Sequence, residues 1–393
     1  MDFTQVKELM KRFVGTGPAG NAISVSLNGK QVFEHYEGLA DVEAVRGIGP
    51  DTVYRIFSSS KEFTAAAALI LYERGIYLLD DPVADYLPEF ANVRIAPYEN
   101  NGVMEKTRPA QKPIRVRDCF CMATGLTYAG NLNYTQVKMG EVQGRLIVAG
   151  PHTLAELMKA FAEEVPLMFE PGTSWNYGMS IDLLGRLIEV WSGKSLGQFM
   201  QDEIFEPLGM PDTGFYYKGT MRERLAAPYY RENGQLVRFD NPMDFYYEPA
   251  FGCELGGQGL LSTLPDYTRF GQMLAMGGTL NGVRILGPRT IDLMRRNHLT
   301  PQQMAAFNNT SFRWSQVVGH GYGLGVRTMI DPAAAGANSV NEFGWSGMAG
   351  TWGCYDPVEK LSVQYMHQCM PNDQNLDWYC HPRIRNAVYA ALD

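Results

Sequence analysis

Apolar residues recur at helical spacing at Phe3, Val6, Leu9, Met10 and Phe13, which predicts an amphipathic helix at the start of the chain. Strand-like alternation follows in Ile23-Ser-Val-Ser-Leu27, then Asn28-Gly29, then a second apolar stretch from Val32 to Tyr36. Asn-Gly between alternating segments is the preferred two-residue hairpin turn, because both positions tolerate positive φ. A second hairpin is expected near the other end, from Thr351–Tyr355 through Asp356-Pro357 to Leu361–His367. The middle, from about residue 80 to 255, is rich in helical patterns, Pro and Gly. The pattern predicts an α+β fold: an antiparallel sheet built from both termini and flanked by helices, with a mostly helical insertion. The expected lobes are residues 1–80 with 256–393, and residues 81–255.

Two further helices matter. Phe63, Ala66, Ala67, Ile70 and Leu71 share a helical face within residues 62–74, and Ala65–Ala68 permit close packing on several sides. Gly75 supplies the stop. Ile181, Leu184, Leu187, Ile188 and Trp191 mark another helix that ends at Gly193. Pro332-Ala-Ala-Ala-Gly-Ala-Asn338 reads as a surface loop.

Composition narrows the class. A 393-residue chain, 45% hydrophobic and 19% charged, buries a large core and is globular. Its net charge of −8 argues against nucleic acid as a partner. Six cysteines with no Cys-x-x-Cys pair read as free thiols in a reducing compartment. The N-terminus has no apolar signal core, and no run of about 18 apolar residues occurs. The expectation is a cytoplasmic protein with no membrane partner. Oligomeric state is not legible.

Candidate chemistry begins at Ser58-Ser-Ser-Lys61, the single Ser-x-x-Lys of the chain, where an extended run, Asp51–Phe57, meets the helix at Glu62. Three residues apart on a helix, Ser58 and Lys61 share a face about one turn apart. A serine hydroxyl is a weak nucleophile until a neighbour takes its proton, and a lysine does that only when its pKa is lowered. The alternative is a helix cap, with Ser58 or Ser59 holding amide groups and Lys61 solvated. Tyr177 sits in a second constellation, Phe169-Glu-Pro-Gly-Thr-Ser-Trp-Asn-Tyr177-Gly178, at a helix entrance, where a tyrosine taken alone is usually a packing residue with a satisfied hydroxyl.

The third constellation is Phe343-Gly-Trp345-Ser346-Gly347-Met348-Ala-Gly350. Small residues on an edge strand let another backbone approach, with N–H groups aimed at a developing oxyanion. Gly344-Trp-Ser346-Gly-Met348 falls one residue short of Gly-x-Ser-x-Gly and lies between extended segments, so Ser346 is not read as a nucleophile. His367 is read as a strand residue and His320 as a loop residue; neither is assigned as a base.

This order resembles the serine β-lactamase and penicillin-binding-protein superfamily, class C-like, and within it the family VIII carboxylesterases. Val116-Arg-Asp-Cys-Phe-Cys-Met-Ala-Thr-Gly-Leu-Thr127 is similar to the family's R-D-L-L-T-H-T-S-G-L segment, and Phe205-Glu-Pro-Leu-Gly-Met-Pro-Asp-Thr213 to its P-L-G-M-x-D-T segment. Gly256-Gly-Gln-Gly-Leu-Leu-Ser-Thr263 and Tyr322-Gly-Leu-Gly325 also fit, and the likeness runs from about residue 20 to 370. The resemblance implies a site in the cleft between lobes. Ser58 is then the acyl-accepting nucleophile, Lys61 shares its proton, and Tyr177 acts with Lys61 as base and protonates the leaving group. Cations near Tyr177 would favour its phenolate. The oxyanion hole would use the backbone N–H groups of Ser58 and Met348, with no metal or organic cofactor.

Two departures shape the expected substrate. The family's Tyr-x-Asn is Tyr177-Gly178-Met179 here, so an amide that usually contacts lysine and substrate is missing. The Lys-Thr-Gly of β-lactamases is Trp345-Ser346-Gly347, a Trp-x-Gly variant seen among family VIII esterases. Without that lysine, a substrate carboxylate loses its cation. Trp345 is expected to offer an apolar wall, with Tyr128, Trp175, Phe245 and Tyr246 lining the same pocket. The expected activity is hydrolysis of small esters with an apolar acyl group. D-Aminopeptidase, amidase, β-lactamase or acyltransferase chemistry on the same site is the alternative, as is a catalytically silent binding protein.

Overall fold

The computed structural model describes residues 1–96, 106–309, 317–370 and 376–392. Its centre is an antiparallel sheet of eight strands: β1 (Gly20–Leu27), β2 (Lys30–Asp41), β3 (Arg46–Gly47), β4 (His320–Tyr322), β5 (Arg327–Met329), β6 (Phe343–Gly344), β7 (Trp352–Asp356) and β8 (Leu361–His367). Their order is β4-β5-β6-β7-β8-β1-β2-β3, so the two ends of the chain meet at β8–β1. Val25 lies opposite both Val363 and Phe33. Asn28 and Gly29, with φ of 51° and 70°, make the tight turn between β1 and β2.

Helices cover both faces. The five that matter here are α1 (Thr4–Thr16), α2 (Ser60–Glu73), α3 (Ser180–Ser192), α4 (Leu264–Ala275) and α5 (Leu376–Ala390). On one face Val6, Met10 and Phe13 of α1 and Cys380, Ile384 and Val388 of α5 pack on Ile23, Val25 and Val363. On the other, α4 lies against β8 and β1. Gly271 of α4 is required there, because a Cβ would sit 1.9 Å from the Gln364 side chain. Helix α2 is buried from Ser60 to Leu71 and packs against α3, which ends at Gly193 with φ of 68°. Among the described residues no helix is long and apolar enough to cross a membrane.

Several local expectations change. The extended run before Ser58 is a strand only over Val53–Arg55, paired with Leu261–Thr263. It ends as Ile56 turns into the helical region, with φ of −83° and ψ of −4°, and Phe57 then takes φ of 42°, a costly conformation for a bulky residue. Of the segment expected on a sheet edge, only Phe343–Gly344 is internal, paired with β5 through Thr328 and Arg327 and with β7 through Tyr355; Trp345–Gly347 bond to Gly353, Trp352 and Thr351 on the β7 side. Residues 332–338 are not a plain loop, since Pro332–Ala335 forms a helical turn capped by the Asp331 side chain. His320 is not in a loop either; it pairs with Met329 in β4 and lies buried 3.9 Å from Glu342.

Candidate active site

The turn at Phe57 projects Ser58 from the end of its strand into a 3-10 turn that runs into α2. Thr351 braces this turn. Its hydroxyl donates to the Ile56 carbonyl at 3.0 Å and lies 3.1 Å from the Ser59 hydroxyl. Ser59 therefore does not cap α2 with its side chain. Ser58 retains 6% exposure, while Lys61 is fully buried.

Lys61 Nζ donates to Ser58 Oγ at 3.1 Å, to Tyr128 Oη at 3.1 Å, and to the Gly257 carbonyl. The solvated lysine of the capping alternative is thus absent. Tyr177 is hydrogen-bonded to Ser58 and Tyr128, and its oxygen accepts the Trp345 indole N–H at 3.1 Å. Lys61 Nζ sits 4.7 Å from the Tyr177 ring centroid. The three groups expected from the sequence do come together around one hydroxyl.

Burial sets the protonation states. It holds the Lys61 amine well below its ordinary value, with the Asp182 carboxylate opposing that shift. It raises the Tyr177 phenol above its ordinary value. The expected phenolate therefore finds no support: desolvation raises the phenol despite the hydrogen bonds from Ser58, Trp345 and Tyr128 that favour its charged form.

Two acidic residues near the lysine were not singled out by sequence reasoning. Asp182, in the first turn of α3, accepts the Gly257 N–H at 3.0 Å through Oδ1, while Oδ2 is buried without a hydrogen-bond partner. Gly257 passes so close that a Cβ would lie 2.6 Å from that oxygen. Asp182 thus supplies a polar neighbour to Lys61 from one turn beyond Met179, where the family asparagine is missing. Glu62 accepts from the Tyr267 hydroxyl at 2.6 Å, the Tyr355 hydroxyl at 2.8 Å and the Trp345 N–H. Burial pushes its carboxyl up to about 7 against those three hydrogen bonds. The available signal for both was an acidic residue inside an otherwise apolar helical stretch.

Trp345 is 1% exposed and is a hydrogen-bond donor to Tyr177 rather than a bare wall. Ser346 is buried and bridges to Trp352, and the Gly347 N–H donates to the Thr351 carbonyl. The Ser58 and Met348 N–H groups donate to no backbone carbonyl among the described residues. The aromatic residues expected in one pocket are divided between two clefts. Tyr246 lines a cleft with Phe57 and Met348, whereas Tyr128 and Trp175 line another with Tyr177. Phe245 lines neither and packs on Tyr246 and Phe251.

A family model described as Beta-lactamase matches residues 6–379. The chain belongs to the Beta-lactamase family. Within it, the chain is 32% identical over 346 residues to Protein Rv1367c of Mycobacterium tuberculosis, covering 85% of this chain and 82% of that one. It is 28% identical over 371 residues to Esterase EstB of Burkholderia gladioli, covering 88% and 84%. Its fold matches Simvastatin Synthase (LovD) from Aspergillus terreus with a TM-score of 0.83 at 22% identity, over 100% of this chain and 99% of that one. This β-lactamase-family chain therefore has the β-lactamase/transpeptidase fold of the serine β-lactamase and penicillin-binding-protein superfamily.

Proposed function

We propose that the protein is a serine carboxylesterase that works through an acyl-enzyme at Ser58. The observation that supports this best is the 3.1 Å contact from buried Lys61 Nζ to Ser58 Oγ, with Tyr177 on the same hydroxyl. As the neutral amine, Lys61 takes the Ser58 proton while Oγ bonds to the ester carbonyl carbon. The carbonyl oxygen becomes an oxyanion facing the Ser58 and Met348 N–H groups. The ester C–O bond then breaks, and Tyr177 delivers a proton to the departing alcohol, regaining one through Lys61. Water repeats the sequence on the acyl-enzyme and releases the carboxylic acid.

Trp345-Ser346-Gly347 offers no cation for a substrate carboxylate, which favours neutral esters over β-lactams and D-peptides. The likeness to a protein named as an esterase points the same way. Transfer of the acyl group to an alcohol or amine is the second reading, favoured by the large cleft beside Tyr177, which has room for an acceptor. The buried free thiols of Cys119, Cys121, Cys253 and Cys354 support a cytoplasmic setting.

Incubation with a fluorophosphonate probe should label Ser58, and Ser58→Ala should abolish both labelling and hydrolysis of p-nitrophenyl butyrate. Lys61→Arg should also lose nearly all turnover, because arginine stays protonated. Labelling at Ser346 instead, or an active Ser58→Ala protein, would overturn the assignment. Product ratios that follow an added alcohol would favour transfer.

A further inference from the structure

Two clefts border the neighbours of Ser58, one through Phe57 and the other through Tyr177, and they differ in size and lining. The first is about 100 Å³ and is walled mainly by Phe57, Met243, Tyr246, Tyr247, Leu255 and Met348, with Asn241 and Gln258 also on its lining. An engineered apolar cavity of about 150 Å³ holds one benzene, so this cleft takes an acyl chain of roughly four carbons. The second is about 500 Å³, within the range of sites that bind whole small molecules. Asn131, Asn133, Gln136, Asn176 and Asn309 line it together with Trp175; Asn133 Oδ1 accepts the Gln136 N–H, Gln136 Oε1 accepts the Leu132 N–H, and the Asn176 amide donates to the Tyr177 carbonyl. Among the described residues, none that lines it is Asp, Glu, Lys, Arg or His.

The chemistry at Ser58 orients a substrate between them. Phe57 and Met348 border the small cleft, so a carbonyl oxygen facing the Met348 N–H directs its acyl chain there. Tyr177 borders the large cleft, so an alcohol receiving its proton leaves on that side. Amides both donate and accept, which complements hydroxyl groups. A charged alcohol would give up water there and find no counter-ion among the described lining residues.

We propose, on the esterase reading above, that the substrate is a short-chain acyl ester of an uncharged, polyhydroxylated alcohol. The acyl group occupies the cleft of Met243 and Tyr246. The alcohol occupies the cleft of Asn131, Asn176 and Trp175. Selectivity at the two ends is therefore set by separate walls and changes independently.

The test is a grid of kcat/KM values on the full-length protein. The acyl arm compares p-nitrophenyl butyrate with p-nitrophenyl octanoate. The alcohol arm compares 6-O-butyrylglucose with cationic butyrylcholine and anionic butyryl glycolate. Butyrate should exceed octanoate, and the glucose ester should exceed both charged esters, each about tenfold or more. Met243→Ala should raise the octanoate-to-butyrate ratio without moving the glucose-to-choline ratio. Asn131→Asp, at an exposed position on the rim, should do the reverse, raising choline ester turnover relative to the glucose ester several-fold. Equal rates on charged and glucose esters, or on butyrate and octanoate, would overturn the division of the clefts. Either variant shifting both ratios together would overturn it as well. Absence of Ser58 labelling would sink the esterase reading itself, a separate failure from these.

Discussion

The Trp345 indole N–H reaches the Tyr177 hydroxyl at 3.1 Å, so the residue that stands where β-lactamases carry a lysine donates directly to a member of the Ser58 cluster. Phenylalanine at 345 keeps the ring and removes the donor. A neutral hydrogen bond contributes about 0.5–1.5 kcal/mol, so Trp345→Phe should lower kcat by roughly two- to tenfold and leave KM nearly unchanged. Steady-state kinetics on p-nitrophenyl butyrate decides this. A pure rise in KM would show that Trp345 acts on substrate binding and not through Tyr177.

Lys61 must be uncharged to accept a proton, so activity should rise with pH as its ammonium deprotonates. Burial places that limb below the ordinary lysine range. The Asp182 carboxylate opposes the shift by favouring the charged amine. Asp182→Asn should therefore move the limb of kcat/KM to still lower pH, by roughly one unit or more. A limb that stays in place would mean that Asp182 does not act on the lysine.

Glu62 gathers three donors from three different elements: Tyr267 on α4, Tyr355 on β7, and the backbone of Trp345 just after β6. Glu62→Ala removes the shared acceptor of these three buried donors, at about 1–3 kcal/mol for each one left unsatisfied. Urea unfolding should show a loss of about 3 kcal/mol or more. A loss under 1 kcal/mol would mean that water or a rearrangement replaces the carboxylate.

His367 is fully buried, and burial pulls its imidazole from 6.5 down to about 3. A depressed value means that the fold accepts only the neutral ring. Stability from this group is complete above the unfolded value near 6.5 and declines as pH falls toward 3, by about 1.4 kcal/mol per unit. Its Nδ1 accepts the Cys369 N–H at 3.2 Å, an acceptor that glutamine can replace. Thermal melts should show that His367→Gln loses less stability than wild type between pH 6 and 4. Parallel curves would remove His367 from the acid response.

Local signals in the chain reached far into this fold. Asn28-Gly29 marked a hairpin because its turn depends on two adjacent residues. Ser58 and Lys61 were legible as a pair because helix geometry alone brings positions three apart together. Asp182 and Glu62 were not, since their partners lie elsewhere in the chain and only the packed structure brings them into register. Trp345 was read as an apolar surface because its N–H has direction only once Glu62 holds its backbone. Phe57 gave no hint of its positive φ, which Thr351 braces from nearly 300 residues away. The division of Tyr128 and Tyr246 between two clefts likewise depends on which side of Ser58 each loop descends.

The pairing of β1 with β8 also has a consequence for synthesis. Val25 leaves the ribosome early, and its partner Val363 follows roughly 340 residues later, about 17 to 70 s at ordinary translation speed. Throughout that interval the β1–β2 hairpin has one row of N–H and C=O groups with no neighbour. Ser58 and Lys61 have by then emerged, but Trp345 has not. The emerging chain thus carries the proposed Ser58–Lys61 pair long before it can close around it.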